Sequence, residues 1–448
     1  MPGLLHRDSF RHGVHPPEHK DETRHLAIRR FPFAPVLVVP LTQHLGKPAL
    51  AVVREGQEVV RGQTIAEPAG FVSVAMHAPA SGIVKRIALA PSISGTMVPS
   101  VYLRPHAASS QEVDDGEHCD VDTATPDEII TAIQKAGVVG LGGAAFPTHV
   151  KLKAPEGKEP DTLIINGVEC EPYLTTDHRV MLEQSEDVFM GTRYLLRATG
   201  AKEAIIAVEA NKPDAAEKLR KNCSADLPVS VRVCPVKYPQ GAEKLVIKSL
   251  LGREIPSGGL PADVRAICVN VATTAEIGRL LPKGRGIQER VITIGGPGIE
   301  RKGNYRIPIG TTVRFALEET GAAENISRVF LGGPMMGAAV SNLDIPITKG
   351  TSGITAFTTA ETGEATGHKP VYPCIHCARC VEACPLFLNP SHLGLLAKNE
   401  EYEQMASEFH LMDCFECGAC SYVCPSHIPL VQYFRLAKKM VRKLSAPS

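Results

Sequence analysis

The 448-residue sequence has no tryptophan, aromatic residues make up only 5% of it, and neither sign of charge prevails, since Lys plus Arg and Asp plus Glu both number 48. A balanced chain has no global field with which to gather nucleic acid or an anionic surface, so any partner must be recognised locally. No stretch approaches the roughly eighteen apolar residues that a bilayer demands. The longest candidates, such as "APVLVVPL" at 34–41, are strand-sized, and the expectation is a chain with no transmembrane span of its own. The opening "MPGLLHRDSFRHGVHPPEHK" lacks the apolar core of a secretory signal. Hydrophobic content of 44% and charged content of 21% are those of a globular protein, and the length calls for several domains.

Cysteine is also sparse, yet eight of the 13 fall in two short stretches, "CIHCARCVEACP" from Cys374 and "CFECGACSYVCP" from Cys414. Thiols at every third position converge, and they need something soft and positive between them. The spacing C-x2-C-x2-C-x3-C-P, written twice, is the run by which bacterial ferredoxins hold two [4Fe-4S] clusters, with the fourth cysteine of each run serving the other cluster. On that pattern Cys374, Cys377, Cys380 and Cys424 hold one cluster, and Cys414, Cys417, Cys420 and Cys384 hold the other. Zinc uses two pairs of ligands and leaves the third cysteine and the proline-flanked fourth without a purpose. Cys119, Cys170, Cys223, Cys234 and Cys268 are scattered without ligand spacing and read as small buried groups. Oxygen-sensitive clusters and free thiols point to the cytoplasm. Between the motifs, "LFLNPSHLGLLAKNEEYEQMASEFHLMD" predicts a pair of helices.

Composition and periodicity divide the rest into a multidomain α/β chain. Residues 1–34 read as an extended arm, and 35–105 as short strands broken by glycine. The pattern there resembles the biotinyl and lipoyl carrier fold, a β-barrel sandwich, without the carrier lysine: none lies between Arg61 and Lys85. A polar linker follows at 106–124. Strands then alternate with helices over 125–285, which predicts a doubly wound, Rossmann-like parallel sheet. Residues 286–350 read as strands around one helix, similar to a small β-grasp (SLBB-like) module. The Thr- and Gly-rich 351–368 read as a linker to an α-helical, ferredoxin-like domain over 369–448.

Within 125–285, "GVVGLGGAAFPTHVK" is a glycine loop after a helix, dense enough for backbone N–H groups to approach a phosphate or a flat ring. Alone it is equally a tight turn. The succession "GLGGAAFPTHVK", "INGVECEP", "YPQGAEKLVIKSLLGREIP" and "VNVATTAEI" resembles the NADH-binding flavoprotein subunit of complex I. The resemblance implies non-covalent FMN at a loop of Gly140, Gly142 and Gly143, with Lys151 as the cation facing a phosphate and Asn166 and Glu169 as flavin contacts. It implies Phe146, Glu171 and Glu243 near NAD(H), and Tyr238, Gly241, Asn270 and Thr273 completing the flavin pocket. Leu141, Val168, Ala242 and Ala272 stand where that family usually has charged groups.

From "FRHGVHPPEHK" to the second cysteine motif, the whole chain resembles the RnfC family, one of the subunits of the Rnf complex, the membrane-bound, ion-translocating NAD:ferredoxin oxidoreductase. That resemblance implies a peripheral subunit on the cytoplasmic face of the bacterial inner membrane, in contact with other subunits and indirectly with ferredoxin. It passes electrons between NAD(H), FMN and two [4Fe-4S] clusters and needs no catalytic acid or base. A soluble, NADH-dependent corrin reductase resembles the same flavin, β-grasp and ferredoxin modules and is the alternative. The final "PLVQYFRLAKKMVRKL" sets Val431, Phe434, Val441 and Leu444 opposite Arg435, Lys438, Lys439, Arg442 and Lys443; its apolar face is expected to pack beside the clusters.

Overall fold

The computed structural model of the chain describes residues 9–362 and 370–444. The start of the arm at 1–8, the end of the expected linker and the opening of the cluster domain at 363–369, and the last four residues lie outside the described residues.

After the arm come two small antiparallel sheets. One runs in the order Leu37–Pro40, Met97–Pro105, Gly82–Pro91, Glu58–Val59, and the other Leu50–Ala51, Thr64–Glu67, Met76–His77. Alternation buries Leu37, Val39, Val84, Val101 and Leu103 between them with Ile65 and Met76. This interior does not end at the sequence boundary: it is continuous with Ile129, Ile133, Val139 and Leu163 of the next domain. Lys349, fully buried, clamps the junction by donating to Ala75 O at 2.6 Å and Gly137 O at 2.8 Å.

Next comes a four-stranded sheet in the order Val229–Cys234, Glu203–Glu209, Thr162–Gly167, Ala266–Asn270, parallel throughout. The chain steps outward over its first three strands, then returns to the far side of the first. Crossovers leave the first and fourth strands in opposite directions, opening a crevice beyond their carboxyl ends, where such sheets bind ligands. Asn166 and Asn270 are register partners at that point.

A mixed six-stranded sheet follows: Arg29–Arg30, Gly303–Pro308, Glu289–Gly295, Gly353–Thr358, Ile326–Leu331, Ala338–Ala339. Two expectations are corrected here. Gly353–Thr358 is no linker but an inner strand, parallel to Glu289–Gly295 and almost wholly buried. Its threonines suggested a solvated tether, whereas β-branched residues suit a pleated, packed surface; the module thus runs past residue 350. The arm, too, is built into the fold. Arg29–Arg30 pairs with Gly303–Pro308 and covers the sheet edge, while Phe10, Val14, Lys20 and Phe31 are buried.

The last domain is a set of short helices, Arg379–Ala383, Pro390–Lys398, Tyr402–Ser407 and Ala419–Tyr422, closed by Leu430–Leu444. The second and third are the expected pair, separated at Glu400 by a left-handed residue (φ 60°). Val431 and Phe434 of the closing helix are buried. Lys438, assigned from periodicity to the basic face, is also buried, because its amine donates to Cys414 O and pairs with Glu416.

Candidate functional site

At the crevice, Asn270 caps the helix Val271–Leu280, its Oδ1 accepting from Ala272 N at 3.0 Å and Thr273 N at 3.2 Å. Its Nδ2 donates to Asp177 Oδ2 at 2.8 Å. Thr273 Oγ1 accepts from Leu141 N at 2.8 Å and so moors the glycine loop to that helix; fully buried Arg290 donates to Leu141 O at 2.9 Å from the other side. Between these ties Gly142, Gly143 and Ala144 are exposed. Gly143 is left-handed (φ 111°) and has nothing within 4 Å of where a Cβ would stand. Gly140 N donates to Phe146 O at 2.8 Å, which closes the loop and leaves the Phe146 ring half-buried.

Asn166 Nδ2 donates to Gly241 O at 2.8 Å and joins the first strand to the turn before helix Glu243–Leu251. Gly241 has to be glycine, since a Cβ would lie 2.2 Å from Val168 O. Lys151, on the short helix after the glycine loop, is ion-paired with Glu243, which sustains its charge against desolvation.

The remaining acids are engaged differently. Glu169 accepts from Asp177 N at 2.9 Å and His178 N at 3.4 Å, at the start of helix Thr176–Glu183. Glu171 accepts from the amides of Met335 at 2.7 Å and Met336 at 3.2 Å, and burial raises its pKa. Tyr238 is buried with its hydroxyl directed to Cys417 O at 2.5 Å, in the cluster domain. The structure therefore gathers Gly140, Gly142, Gly143, Asn166, Gly241, Asn270 and Thr273 at the switch point with the Lys151–Glu243 pair nearby, and turns Glu171 and Tyr238 toward the domain seam.

Sequence reasoning missed Asp177, whose carboxyl is pushed up to about 7 by burial and by neighbouring Glu169. An acid in the first turn of a helix after the first strand was a usable signal. It also missed Lys20, whose amine donates to the carbonyls of Glu169, Glu171 and Leu174 at 2.8, 2.9 and 2.6 Å. Nothing in its neighbourhood on the chain announces that contact.

The thiols fall into two groups. Cys374, Cys377, Cys380 and Cys424 line one cavity of about 260 Å³, and Cys384, Cys414, Cys417 and Cys420 line a second, tighter one. The fourth cysteine of each run thus stands with the other run. Among the described residues no three His, Cys, Asp or Glu converge on a single-ion site. Each set instead encircles a volume, which suits a four-iron cluster better than one zinc ion. The two loops repeat in backbone as well as in spacing: His376 and Glu416, Ala378 and Gly418, Phe387 and His427 are all left-handed, each pair forty residues apart. Apolar burial raises the Cys414, Cys417 and Cys420 thiols, Cys417 to about 12, so thiolates there require a cationic centre.

Comparison with known proteins bears on the same regions. Residues 8–108 match the family model described as the RnfC barrel sandwich hybrid domain, 133–279 the Nuo51 FMN-binding domain, and 373–428 the 4Fe-4S dicluster domain. The chain is 40% identical over 431 residues to the RnfC-type subunit of the proton-translocating ferredoxin:NAD(+) oxidoreductase complex of Clostridium ljungdahlii, covering 96% of this chain and 93% of that one. It is 38% identical to the Na(+)-translocating counterpart of Acetobacterium woodii, covering 97% of each. Among solved structures, an NAD+-reducing [NiFe]-hydrogenase matches with a TM-score of 0.52 at 18% identity, over 75% of this chain and 73% of that one; at this identity the likeness concerns the fold.

Proposed function

Since the chain belongs to the RnfC family, whose members are subunits of ion-translocating ferredoxin:NAD(+) oxidoreductase complexes, we propose that it is the subunit where such a complex exchanges electrons with NAD(H). It is an oxidoreductase subunit with an FMN-binding domain and a 4Fe-4S dicluster domain. The observation that carries the reading is the presence in one chain of a side-chain-free glycine loop at a topological switch point and two four-thiol rings. Bound FMN supplies the conversion between two-electron hydride chemistry and the single electrons that iron-sulfur clusters carry.

What the chain's own residues contribute follows from the geometry. Exposed Gly142 and Gly143 let backbone approach the flavin closely, and the amides there and the start of helix Val271–Leu280 favour its phosphate. Lys151 adds a cation whose present partner is Glu243. Asn166 and Asn270 hold the two diverging strand ends at a fixed distance. No side chain has to move a proton for electrons to pass. The strand order of the third module, with Glu289–Gly295 and Gly353–Thr358 parallel at its centre, supports assigning it to the β-grasp class. No described helix is long and apolar enough to cross a membrane; attachment at the cytoplasmic face of the inner membrane through the other subunits is part of the proposal.

With FMN bound, the isolated protein should reduce ferricyanide with NADH, because an artificial acceptor bypasses the missing subunits. Lys151→Ala and Glu243→Ala should each weaken the reaction about tenfold or more, as expected for losing one charge-assisted bond. Wild-type turnover and affinity in both variants would place the nucleotide elsewhere.

A further inference from the structure

The cluster domain is joined to the flavin domain by more than the chain that precedes it. Tyr238 comes from the turn between strand Val229–Cys234 and helix Glu243–Leu251, three residues before Gly241, whose carbonyl is bound by Asn166 at the switch point. It is 1% exposed, and its hydroxyl donates to the main-chain carbonyl of Cys417 at 2.5 Å. Val14, Ala383 and Ala419 are buried around the ring, with Cys170 and Met335 beside them, and the Glu171 carboxylate faces the hydroxyl.

Further contacts cross the same seam. Gly13 N donates to Ala383 O at 3.2 Å, Ser257 Oγ to Asp413 at 2.5 Å, and Arg435 to Met336 O at 3.2 Å. Gly418 lies so close to Met335 that a Cβ would be 2.5 Å from its carbonyl oxygen. Ala383, Asp413, Gly418 and Ala419 each adjoin a cysteine of the ring formed by Cys384, Cys414, Cys417 and Cys420. The other ring opens outward: Cys377 is exposed, and Val371, Tyr372 and Ile375 beside it are each at least half exposed.

We infer that Tyr238 is a positioning residue for electron transfer, fixing the Cys417 segment against the flavin site so that the Cys384/Cys414/Cys417/Cys420 ring exchanges electrons with the flavin and the Cys374/Cys377/Cys380/Cys424 ring with the partner protein. The inference rests on the flavin and cluster assignments above. A hydride brings two electrons, and these cross the seam singly. Each reduces the inner cluster by one electron, and the inner cluster is reoxidised as that electron moves to the outer cluster and then to a one-electron acceptor of the complex. Tyr238 keeps its proton and is neither oxidised nor reduced. The hydroxyl directs the positive end of its dipole at a cluster-ligand residue, and hydrogen bonds and nearby dipoles of this kind set cluster potentials.

The test uses the full chain with FMN and both clusters, titrated with dithionite and followed by low-temperature EPR. Tyr238→Phe removes only the hydroxyl. It should lower the midpoint potential of the inner cluster and leave the outer one where it was. A role limited to packing would move neither, and unchanged potentials, or a shift confined to the outer cluster, would overturn the inference. The order of the rings is read separately. In Cys374→Ala/Cys377→Ala, NADH should still reduce the remaining inner cluster; in Cys417→Ala/Cys420→Ala, the remaining outer cluster should stay oxidised with NADH yet respond to dithionite. The reverse pattern sinks the proposed order. If NADH reduces neither cluster even in the wild-type chain, the nicotinamide reading fails, while the dithionite titration of Tyr238→Phe still decides what the tyrosine does.

Discussion

Asp177 shows how the crevice acts on a single side chain. Its carboxylate accepts from Asn270, lies near Glu169, and is opposed by Arg290 and Lys212, and the outcome is a pKa raised to about 7. A folded carboxyl with a raised pKa binds a proton that the unfolded chain has released. This group therefore lowers stability as pH climbs from the ordinary carboxylate range to about 7, and has no further effect above it. Each unit of elevation corresponds to about 1.4 kcal/mol. Asp177→Asn keeps an acceptor for Asn270 and removes the titration. The variant without FMN should match the wild type in melting temperature near pH 5 and exceed it at pH 8; a difference that does not change with pH would contradict the assignment.

At the scale of elements, the glycine loop owes its position to one hydroxyl on the neighbouring helix. Thr273→Val keeps the shape but leaves the buried Leu141 amide without an acceptor. That should cost roughly 1–3 kcal/mol and loosen FMN, seen as faster flavin loss on gel filtration. The thiol loops make a sharper case. Because Cys424 stands with Cys374, Cys377 and Cys380, Cys424→Ser should damage that cluster and spare the one nearer in sequence, while Cys384→Ser should do the opposite. EPR or Mössbauer spectra of each variant, beside proteins lacking a whole three-cysteine corner, decide it. New damage from Cys424→Ser in a protein already without the Cys374, Cys377 and Cys380 corner would rule the exchange out.

Across the whole molecule, modules that look separate along the chain share interiors. The arm supplies Lys20, whose amine gathers three carbonyls of the turn carrying Glu169 and Glu171 in the flavin domain. Burial lowers the pKa of that amine, so the carbonyl dipoles are what make its position tenable. Lys20→Met should remove about 1–3 kcal/mol of stability and weaken FMN retention, although the residue is remote in sequence from every motif. Thermal unfolding and flavin content measured together check this; a melting temperature equal to the wild type would show the turn to be self-supporting.

Local chemistry made much of this protein legible in its sequence. Thiol spacing is a short-range constraint, so the two cluster runs, the exchange of their fourth cysteines and the paired helices between them could be read directly. The alternation of strands and helices over 162–280 likewise set the parallel sheet, because side-chain period and loop length are properties of a segment. Where reading failed, the deciding interaction was long-range. Gly353–Thr358 looked like a tether because only Glu289–Gly295 and Ile326–Leu331, distant in sequence, make it an inner strand. Lys20 and Lys349 carry no local sign of burial, since a lysine is buried only where folded carbonyls replace its water. Tyr238 matched a flavin motif by position, yet only tertiary packing brought Cys417, 179 residues away, within reach of its hydroxyl. The sequence by itself determined which groups the chain could hold; tertiary structure decided which ring of thiols faces the flavin site, because that depends on contacts no segment can specify alone.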